Sequence, residues 1–200
     1  MIQLGQQSSR WFVLGLGNPG AKYRATRHNA GVWALEILAG ELGVEFKLKA
    51  SMEVLLAEGR IGESEVVLCF PQTFMNESGR VLSPLRRKFG AMDPARLIVI
   101  HDELDLPPGV VRVKSGGGLA GHNGLRSIAA HLGGNEFIRV RIGIGHPGDR
   151  SKVLNWVLSS PGALEREEIA VGANIAKDAV VSIVKEGVDR SMGEFNGRAV

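Results

Sequence analysis

The amino-acid sequence predicts a single-domain α/β sandwich, in which helices cover both faces of one mixed, mostly parallel, twisted sheet. Three observations support this class. Apolar runs such as Leu97 to His101 are typical of strands that are buried on both faces of a parallel sheet. Segments with helical periodicity alternate with these runs along the chain. The 200 residues, 44% of them hydrophobic, suffice for one substantial core, and no boundary to a second domain is evident.

Strand signals come from apolar runs and from the alternation of apolar and polar residues. The predicted strands are Trp11 to Leu16, Glu53 to Gly59, Ser64 to Phe70, Leu97 to His101, Val110 to Lys114 and Phe137 to Ile144. The second and third strands predict a hairpin, because only a short turn at Gly62 separates them. The fourth strand places Asp102 at or just beyond its C-terminal end.

Helix signals come from apolar residues spaced three and four positions apart. The predicted helices are Ala30 to Leu42, Glu77 to Phe89, Asn123 to Leu132 and Leu164 to Glu186, with a short apolar segment over Val153 to Leu158. The first two are expected to end at Gly43 and Gly90, and Pro84 to kink the second. The glycine-rich tract Ser115 to Gly121 is expected to be flexible, and Gly145 to Lys152 to form a turn-rich loop.

Composition and charge restrict the class of protein. A net charge of +3 and a pI near 9.2 make the chain mildly basic, which suits contact with an anionic partner such as RNA. The lone Cys69 lies in an apolar run, where a buried thiol is expected, and a single cysteine agrees with a reducing, cytoplasmic location. No apolar run approaches the ~20 residues of a membrane span. We expect a disordered lead-in over residues 1–10, one domain over 11–195, and a frayed tail over 196–200.

Amide, imidazole and carboxylate side chains lie beside glycines, prolines or strand ends, where an open α/β sheet exposes its binding crevice. They are Asn18, His28, Asn76, Asp102, His122 and Asn123. This inventory suits hydrolysis by water that a histidine activates, an effect worth roughly 10²- to 10⁴-fold. An aspartate can fix the tautomer of that histidine, and asparagine N–H groups can stabilise an oxyanion. Lys114 and Arg141, on two strands with basic faces, can hold a phosphate between them.

Three other kinds of site fit the sequence less well. Gly15 to Gly20 matches the dinucleotide pattern G-x-G-x-x-G, but no helical periodicity begins at Gly17, and the expected acidic residue would lie inside a helix. His101 and Asp102 point to opposite faces of a strand and are therefore unsuited to one metal ion. No G-x-S-x-G segment is present, and the only thiol is in an apolar run. A metal site is disfavoured but stays open.

Five ordered blocks of the sequence resemble the bacterial-type peptidyl-tRNA hydrolases. They are GLGNPGAKYRATRHNAG, PQTFMNESG, HDELDLPPG, GGGLAGHNGLRSI and RVRIGIGHPGD, and the resemblance runs from about Phe12 to the end of the chain. It implies a monomeric α/β sandwich, without metal or organic cofactor, membrane contact or obligate protein partner. The activity that the resemblance implies is cleavage of the ester between a peptide and the 3′ end of tRNA. This reaction would recycle tRNA from peptidyl-tRNA that ribosomes release prematurely.

The resemblance also implies roles for individual residues. His28 matches the catalytic base, Asp102 the carboxylate that supports it, and Asn18 a residue that helps to distinguish an acylated from a free α-amino group. Substrate-binding positions match Tyr23, Phe74, Asn76 and Asn123, with Met75 and His122 lining the same cleft. Lys114 and Arg141 match basic residues proposed to clamp the tRNA 5′ phosphate. Relatives commonly carry G-G-H-N where this chain has Leu119-Ala120-Gly121-His122-Asn123, which predicts a stiffer loop before His122.

One alternative stays open at this point. Plant organellar splicing factors resemble the same family without serving as its hydrolases, so a non-catalytic RNA-binding module of the same fold is also possible. The presence of His28 together with Asp102 favours the enzyme.

Overall fold

The computed structural model of the chain describes residues 10–197. Its strands are β1 Trp11–Gly15, β2 Lys47–Lys49, β3 Val54–Ile61, β4 Ser64–Pro71, β5 Leu97–Glu103, β6 Val111–Ser115 and β7 Ile138–Gly143. They form one sheet in the order β2-β3-β4-β1-β5-β7-β6. The central strands β4, β1, β5 and β7 are parallel, whereas the three outer pairings are antiparallel. Because β3 and β6 run against the other strands, the prediction of a mixed, mostly parallel sheet is confirmed.

Helices cover both faces of this sheet. They are α1 Ala30–Leu42, α2 Leu82–Phe89, α3 Asn123–Leu132, α4 Val153–Val157, α5 Ala163–Glu186 and α6 Val188–Asn196, with 3₁₀ turns at Ala21–Tyr23, Arg27–Asn29, Ala50–Met52, Met75–Val81, Pro94–Arg96 and Arg150–Lys152. Side chains of α1, α5 and α6 share one buried cluster with the sheet, and those of α2 and α3 share another. None of the described helices is long and apolar enough to span a membrane.

Alternation along β1 shows how the strands supply both halves of the core. Val13 packs in the cluster with Leu35 of α1, whereas Leu14 packs in the cluster with Leu125 of α3. Successive side chains of a strand point to opposite faces, so a central strand must be apolar throughout. β5 is buried at all of its positions, as its continuous apolar run predicts.

Several predicted elements match the structure closely, and others do not. The helix Ala30–Leu42 and the hairpin that turns at Gly62 are confirmed. The prediction of one kinked helix from Glu77 to Phe89 is wrong, since a 3₁₀ turn runs to Val81 and α2 begins at Leu82. Pro84 therefore lies in the first turn of α2, where a missing N–H is tolerated. The edge strand β2 and the helix α6 were not predicted.

The described residues near both termini belong to the folded domain. Arg10, placed in the predicted lead-in, donates from Nε and Nη2 to Glu65 Oε2 at 3.1 and 2.6 Å. Asn196, placed in the predicted tail, accepts from Val113 N at 2.8 Å and donates to Val113 O at 2.9 Å. These two residues are therefore hydrogen-bonded to β4 and β6, and the lead-in and the tail stay predictions. The rest of both predictions falls on residues 1–9 and 198–200, outside the described part, and on residue 197.

Candidate active site

His28 and Asp102 meet at the edge of the sheet where the parallel strands β1 and β5 end. His28 lies in the 3₁₀ turn Arg27–Asn29, directly before α1, and Asp102 is the penultimate residue of β5 rather than a loop residue. His28 Nδ1 is 2.9 Å from Asp102 Oδ1 and 2.9 Å from Asp102 Oδ2. The structure therefore brings two of the predicted site residues, 74 positions apart, into direct contact.

His122 reaches the same carboxylate from the start of α3. Its Nε2 is 3.0 Å from Asp102 Oδ1, and its Nδ1 accepts from the backbone N–H groups of Gly124 and Leu125 at 3.1 and 3.3 Å. Because Nδ1 accepts these two bonds, the hydrogen-bond network assigns the proton to Nε2, which donates to Asp102. His122 is in this way both the N-cap of α3 and a second donor to the buried carboxylate.

The three groups also lie close enough to suggest a metal ion, since their candidate ligand atoms are within 4.8 Å of one another. A metal ligand must offer a lone pair, however, and His122 Nε2 carries a proton. The same holds for Nδ1 of His28, which faces the carboxylate and donates to it. Hydrogen bonding therefore accounts for this arrangement better than ligation does.

Burial and charge oppose each other in this cluster. Asp102 is 3% exposed, and burial alone would raise the pKa of its carboxyl group, but the charges of His28 and His122 and their hydrogen bonds hold that pKa well below its usual range. Burial lowers the pKa of His28, while the charge and the hydrogen bond of Asp102 raise it, and the net result is a raised pKa. With Nδ1–H directed at Asp102, Nε2 of neutral His28 keeps a lone pair that can accept a proton.

His101 lies beside this cluster and differs from His28 in its environment. Its side chain is buried, its Nδ1 is 2.7 Å from the backbone carbonyl of Asp102, and its ring centroid lies 5.0 Å from that of His122. Burial and the neighbouring His122 lower the pKa of His101 to about 3. A histidine that stays neutral and buried in this way supports the backbone at Asp102 and is unsuited to proton transfer with substrate.

Asn18 joins the loop after β1 to two other parts of the site. Its side-chain Oδ1 accepts from Met75 N at 2.8 Å, while its backbone N–H and C=O pair with the Asn29 side chain at 2.9 and 3.0 Å. Gly17 permits this approach, because a Cβ there would lie 2.8 Å from Asn29 Cγ. Since Oδ1 of Asn18 is engaged by the backbone, the Nδ2 amide is the group left to donate to a ligand.

Asn29 is a site residue to which the sequence analysis assigned no role. A polar residue directly before an apolar helix is the ordinary signal of an N-cap, and this is how its position reads in the sequence. Its side chain makes no capping bond to α1 and holds the backbone of Asn18 instead. The sequence signal at Asn29 therefore indicates a bond to the N-terminus of α1, whereas the observed partner is the backbone of Asn18.

The predicted substrate-binding residues lie beside Asn18 and at the start of α3. Tyr23 and Phe74 meet edge to face with ring centroids 6.4 Å apart, and Phe74 is 56% exposed. Met75 is buried against the start of α3, where a Cβ on Gly124 would lie only 2.5 Å from Met75 Sδ. Asn76 and Asn123, which follow Met75 and His122 in the chain, are exposed. The structure thus brings Tyr23 into contact with Phe74, and His122 and Asn123 of the predicted set line the cavity that opens beside His28.

Lys114 and Arg141 lie on one face of the β6–β7 pair, together with two further cations. The register pairs Lys114 with Arg139 and Arg112 with Arg141, so that Lys114 and Arg141 are diagonal neighbours. Arg141 Nε donates to Glu103 Oε2 at 3.0 Å. Glu103 is itself buried and partly neutralises this cationic face.

Arg139 has a different role from its neighbours, because it is only 2% exposed. Its guanidinium donates to the backbone carbonyls of Gly116 and Gly118, the latter at 2.7 Å. The tract Ser115 to Gly121, predicted to be flexible, is therefore tied to β7 at two points. The sequence offers no local signal for this partner, because Arg139 alternates with apolar residues along β7 in the same way as Arg141 does.

A cavity of about 730 Å³ opens beside His28, Asp102 and His122. Its far wall is apolar and is formed by Leu104, Val153, Leu154 and Val157. Arg126 and Arg150 add positive charge at its border. A volume of this size accommodates a substantial part of a large ligand with its reacting bond at the polar end.

The chemistry available in this cleft is proton transfer rather than nucleophilic attack by a thiol. Cys69 is buried, as the sequence predicts, and burial raises the pKa of its thiol. His28, by contrast, is held by a buried carboxylate and keeps 12% of its side chain exposed. Fold and site together are typical of an enzyme that activates water with an imidazole base.

Comparison with known proteins identifies the family within that class. Residues 12–200 match the sequence profile of the peptidyl-tRNA hydrolases. The peptidyl-tRNA hydrolase of Nitrosospira multiformis is 50% identical over 177 residues, which cover 88% of this chain and 91% of that protein. For the peptidyl-tRNA hydrolase of Azoarcus sp. strain BH72, identity is 47% over 186 residues, covering 93% and 84%.

A solved structure agrees with the sequence relatives. The crystal structure of peptidyl-tRNA hydrolase from Acinetobacter baumannii aligns with a TM-score of 0.89 at 38% identity, over 96% of this chain and 97% of that one. The chain belongs to the peptidyl-tRNA hydrolase family, and the resemblance of the five sequence blocks is thereby confirmed.

Proposed function

We propose that this protein hydrolyses the ester bond between a peptide, or an N-blocked amino acid, and the 3′ end of tRNA, which releases the tRNA for reuse in translation. The observation that carries the proposal is the contact of His28 Nδ1 with both oxygens of the buried Asp102, beside an open cleft, in a chain of this family. The contact leaves Nε2 of His28 as the proton acceptor.

The reaction follows from this geometry. Neutral His28 takes a proton at Nε2 from a water molecule, whose oxygen attacks the carbonyl carbon of the ester. Asp102 stabilises the imidazolium that forms, since it accepts the Nδ1–H bond. Asn18 Nδ2 stabilises the developing oxyanion. When the tetrahedral intermediate collapses, the proton on His28 Nε2 passes to the ribose oxygen, and the peptide leaves with a free carboxyl group.

Binding of the two ends of the substrate is assigned to different surfaces. We assign the peptide and the terminal nucleotide to Tyr23, Phe74, Met75, Asn76, His122 and Asn123, of which His122 and Asn123 line the cavity beside His28. Lys114 and Arg141 are assigned to the tRNA 5′ phosphate, supported by their common face on β6 and β7. Because Glu103 already pairs with Arg141 Nε, the remaining donors of Arg141 would meet the phosphate.

We also propose that the protein acts as a monomer in the cytoplasm, without a metal ion or an organic cofactor. The proposed catalytic set His28, Asp102 and His122 comes from one chain and hydrogen-bonds within itself. The tRNA substrate and the lone cysteine support the location.

Single-turnover hydrolysis of a defined N-acetyl-aminoacyl-tRNA tests the proposal. His28→Ala is expected to lose roughly 10²-fold or more of the single-turnover rate, because it removes the general base. His131→Ala is the matched control, since His131 is an exposed histidine on α3 that bonds to Ser127 O of its own helix. Hydrolysis by His28→Ala at the wild-type rate would exclude this role for His28.

The cationic face of β6 and β7 keeps a second candidate in view, a module that binds RNA without turnover. Such a protein would bind the same N-acetyl-aminoacyl-tRNA and leave its ester intact. Binding measured by fluorescence anisotropy, beside hydrolysis in the same samples, separates the two functions.

A further inference from the structure

Arg27 stands directly before His28 in the chain, and its side chain is inside the protein. The residue is 4% exposed, although arginine is always charged. A buried charge is costly unless it is paired and hydrogen-bonded, so the partners of Arg27 indicate its role in the structure. The catalytic scheme proposed above does not use it.

The guanidinium of Arg27 is bound on every side. Nε and Nη2 form a bidentate pair with the two carboxylate oxygens of Glu165, each at 2.6 Å. Nη1 donates to the carbonyls of Trp156 and Ser159 at 3.2 Å each and to Ser159 Oγ at 2.6 Å. The guanidinium also stacks over the Trp156 ring at 3.7 Å. All of these partners belong to the end of α4, the α4–α5 junction and the first turn of α5.

The backbone of Arg27 also binds this segment, because its N–H donates to Ser159 O at 3.1 Å. We call Trp156, Ser159 and Glu165 the anchor of Arg27. On the other side of His28, Asn29 binds Asn18 through its side chain. His28 therefore lies between two residues that fix its short turn in different directions. A histidine in a 3₁₀ turn of three residues has little other local support.

The anchor of Arg27 is connected to the strand that carries Asp102. Trp156 Nε1 donates to the carbonyls of Ile144 and Gly145, just after β7, at 3.2 and 3.0 Å. β7 is paired with β5, and Asp102 is in register with Ile142. His28 is therefore connected to Asp102 in two ways. It contacts Asp102 directly, and it is also linked to it through Arg27, Trp156 and the paired strands β7 and β5.

We propose that Arg27 is a positioning residue for the hydrolytic reaction, which holds the turn Arg27–Asn29 against the α4–α5 junction so that His28 Nδ1 faces both oxygens of Asp102. This inference rests on the proposed function of His28. The planar guanidinium group, with its fork of N–H donors, is required for this role. A lysine ammonium cannot pair with both oxygens of Glu165 and still reach Ser159.

Arg27→Lys tests this role, since it keeps the charge and removes the fork. We expect kcat for N-acetyl-aminoacyl-tRNA to fall on the order of 10-fold or more, because small misplacements of a reacting group are costly. KM should stay within about twofold, since substrate-binding groups are untouched. If Asp102 lies farther from His28, its charge raises the pKa of His28 less, while burial still lowers that pKa. The pKa of His28 should therefore fall, and the acid limb of the pH profile of kcat should move to lower pH.

Titration of the His28 ring by NMR gives a readout that needs no turnover. A lower pKa for His28 in Arg27→Lys than in the wild type supports the proposal even if the wild type fails to hydrolyse the ester, which would contradict only the proposed function. Glu165→Gln is the second variant in case Arg27→Lys does not fold. It keeps the bonds to Trp156 and Ser159, and we expect the same shifts with a smaller size.

Arg10→Lys is the matched control, because Arg10 also pairs with a glutamate, Glu65, and stacks on an aromatic ring, Phe89. It lies before the first residue of β1, at the opposite end of the parallel strands from His28. This variant should leave kcat and the titration of His28 unchanged. The proposal is overturned if both variants at the anchor keep the wild-type pKa of His28 and the wild-type kcat. It is equally overturned if they lower only the fraction of folded protein, with the acid limb unmoved.

Discussion

His28 Nδ1 lies 2.9 Å from each carboxylate oxygen of Asp102, and the two residues come from an element before α1 and from a central strand. The carboxylate is buried, while the opposite edge of the imidazole borders the cleft. This arrangement fixes which nitrogen of His28 carries its proton and makes the charge state of the ring depend on Asp102.

The first prediction concerns pH. The pKa of His28 is raised above its ordinary value of about 6.5, and only the neutral ring can accept a proton, so kcat/KM should fall as the pH drops through that raised pKa. Asp102→Asn removes the charge that raises the pKa but keeps the burial that lowers it. The acid limb should therefore move to lower pH while the maximal rate falls by about 10²- to 10⁴-fold. Profiles of kcat/KM against pH for both proteins measure this, and an acid limb at an unchanged pH would contradict it.

The second prediction concerns Asn18. Asn18→Asp keeps an oxygen that can accept from Met75 N, but it has no N–H to donate, whereas Asn18→Ala loses both functions. If the amide stabilises the oxyanion, both variants should lose on the order of 10²- to 10³-fold in kcat. If the side chain only supports the loop, Asn18→Asp should stay active.

The family resemblance also assigns Asn18 a role in distinguishing acylated from free α-amino groups. Rates on N-acetyl-aminoacyl-tRNA and on free aminoacyl-tRNA, measured side by side for both variants, test that role. A ratio equal to that of the wild type would assign the selectivity to another residue.

The positions of the proposed catalytic residues could be nominated from local signals in the sequence, whereas their individual roles came from the family resemblance. Asn18 follows a strand and a glycine turn, His28 precedes an apolar helix, and Asp102 lies near the end of an apolar strand. Such boundaries of strands, turns and helices are recognised within a window of a few residues. The fold class is predicted from the same kind of signal, since buried strands and amphipathic helices differ in their period.

The supporting residues were not predictable in this way, because their partners are distant in the chain. Arg27 binds Glu165, 138 positions away, and Arg139 binds Gly116, 23 positions away. Neither arginine breaks the local pattern around it, so each reads as a surface charge until the tertiary contacts are known. The same reason explains β2, whose Lys-Leu-Lys sequence has no apolar alternation long enough to be read as a strand.

The third prediction concerns the cationic face. Lys114→Ala should weaken binding of tRNA and lower the slope of log affinity against log salt by about 1, because one phosphate contact is removed. Lys185→Ala is the control, since Lys185 is exposed near the end of α5, which packs on the other face of the sheet. Fluorescence anisotropy at several salt concentrations measures both slopes. Equal slopes for Lys114→Ala and the wild type would show that the phosphate is held elsewhere.

The fourth prediction concerns Ala120, in the loop before His122. Ala120 has φ 48°, in the left-handed region, which costs a residue with a Cβ about 1 to 2 kcal/mol relative to the right-handed one. Ala120→Gly relieves this strain, although glycine loses more conformational entropy on folding, so the free energy of unfolding should rise by about 0.5 to 1 kcal/mol. Ala170→Gly, on the exposed face of α5, should lower it by about 1 kcal/mol.

Urea unfolding of the two variants measures these opposite signs. Because Arg139 holds the carbonyls of Gly116 and Gly118 in both proteins, Ala120→Gly should keep the wild-type kcat. Stiffness of this loop would then come from the buried arginine rather than from the replacement of glycine by alanine. A loss of stability in Ala120→Gly as large as that in Ala170→Gly would show that the left-handed backbone at this position stores no strain.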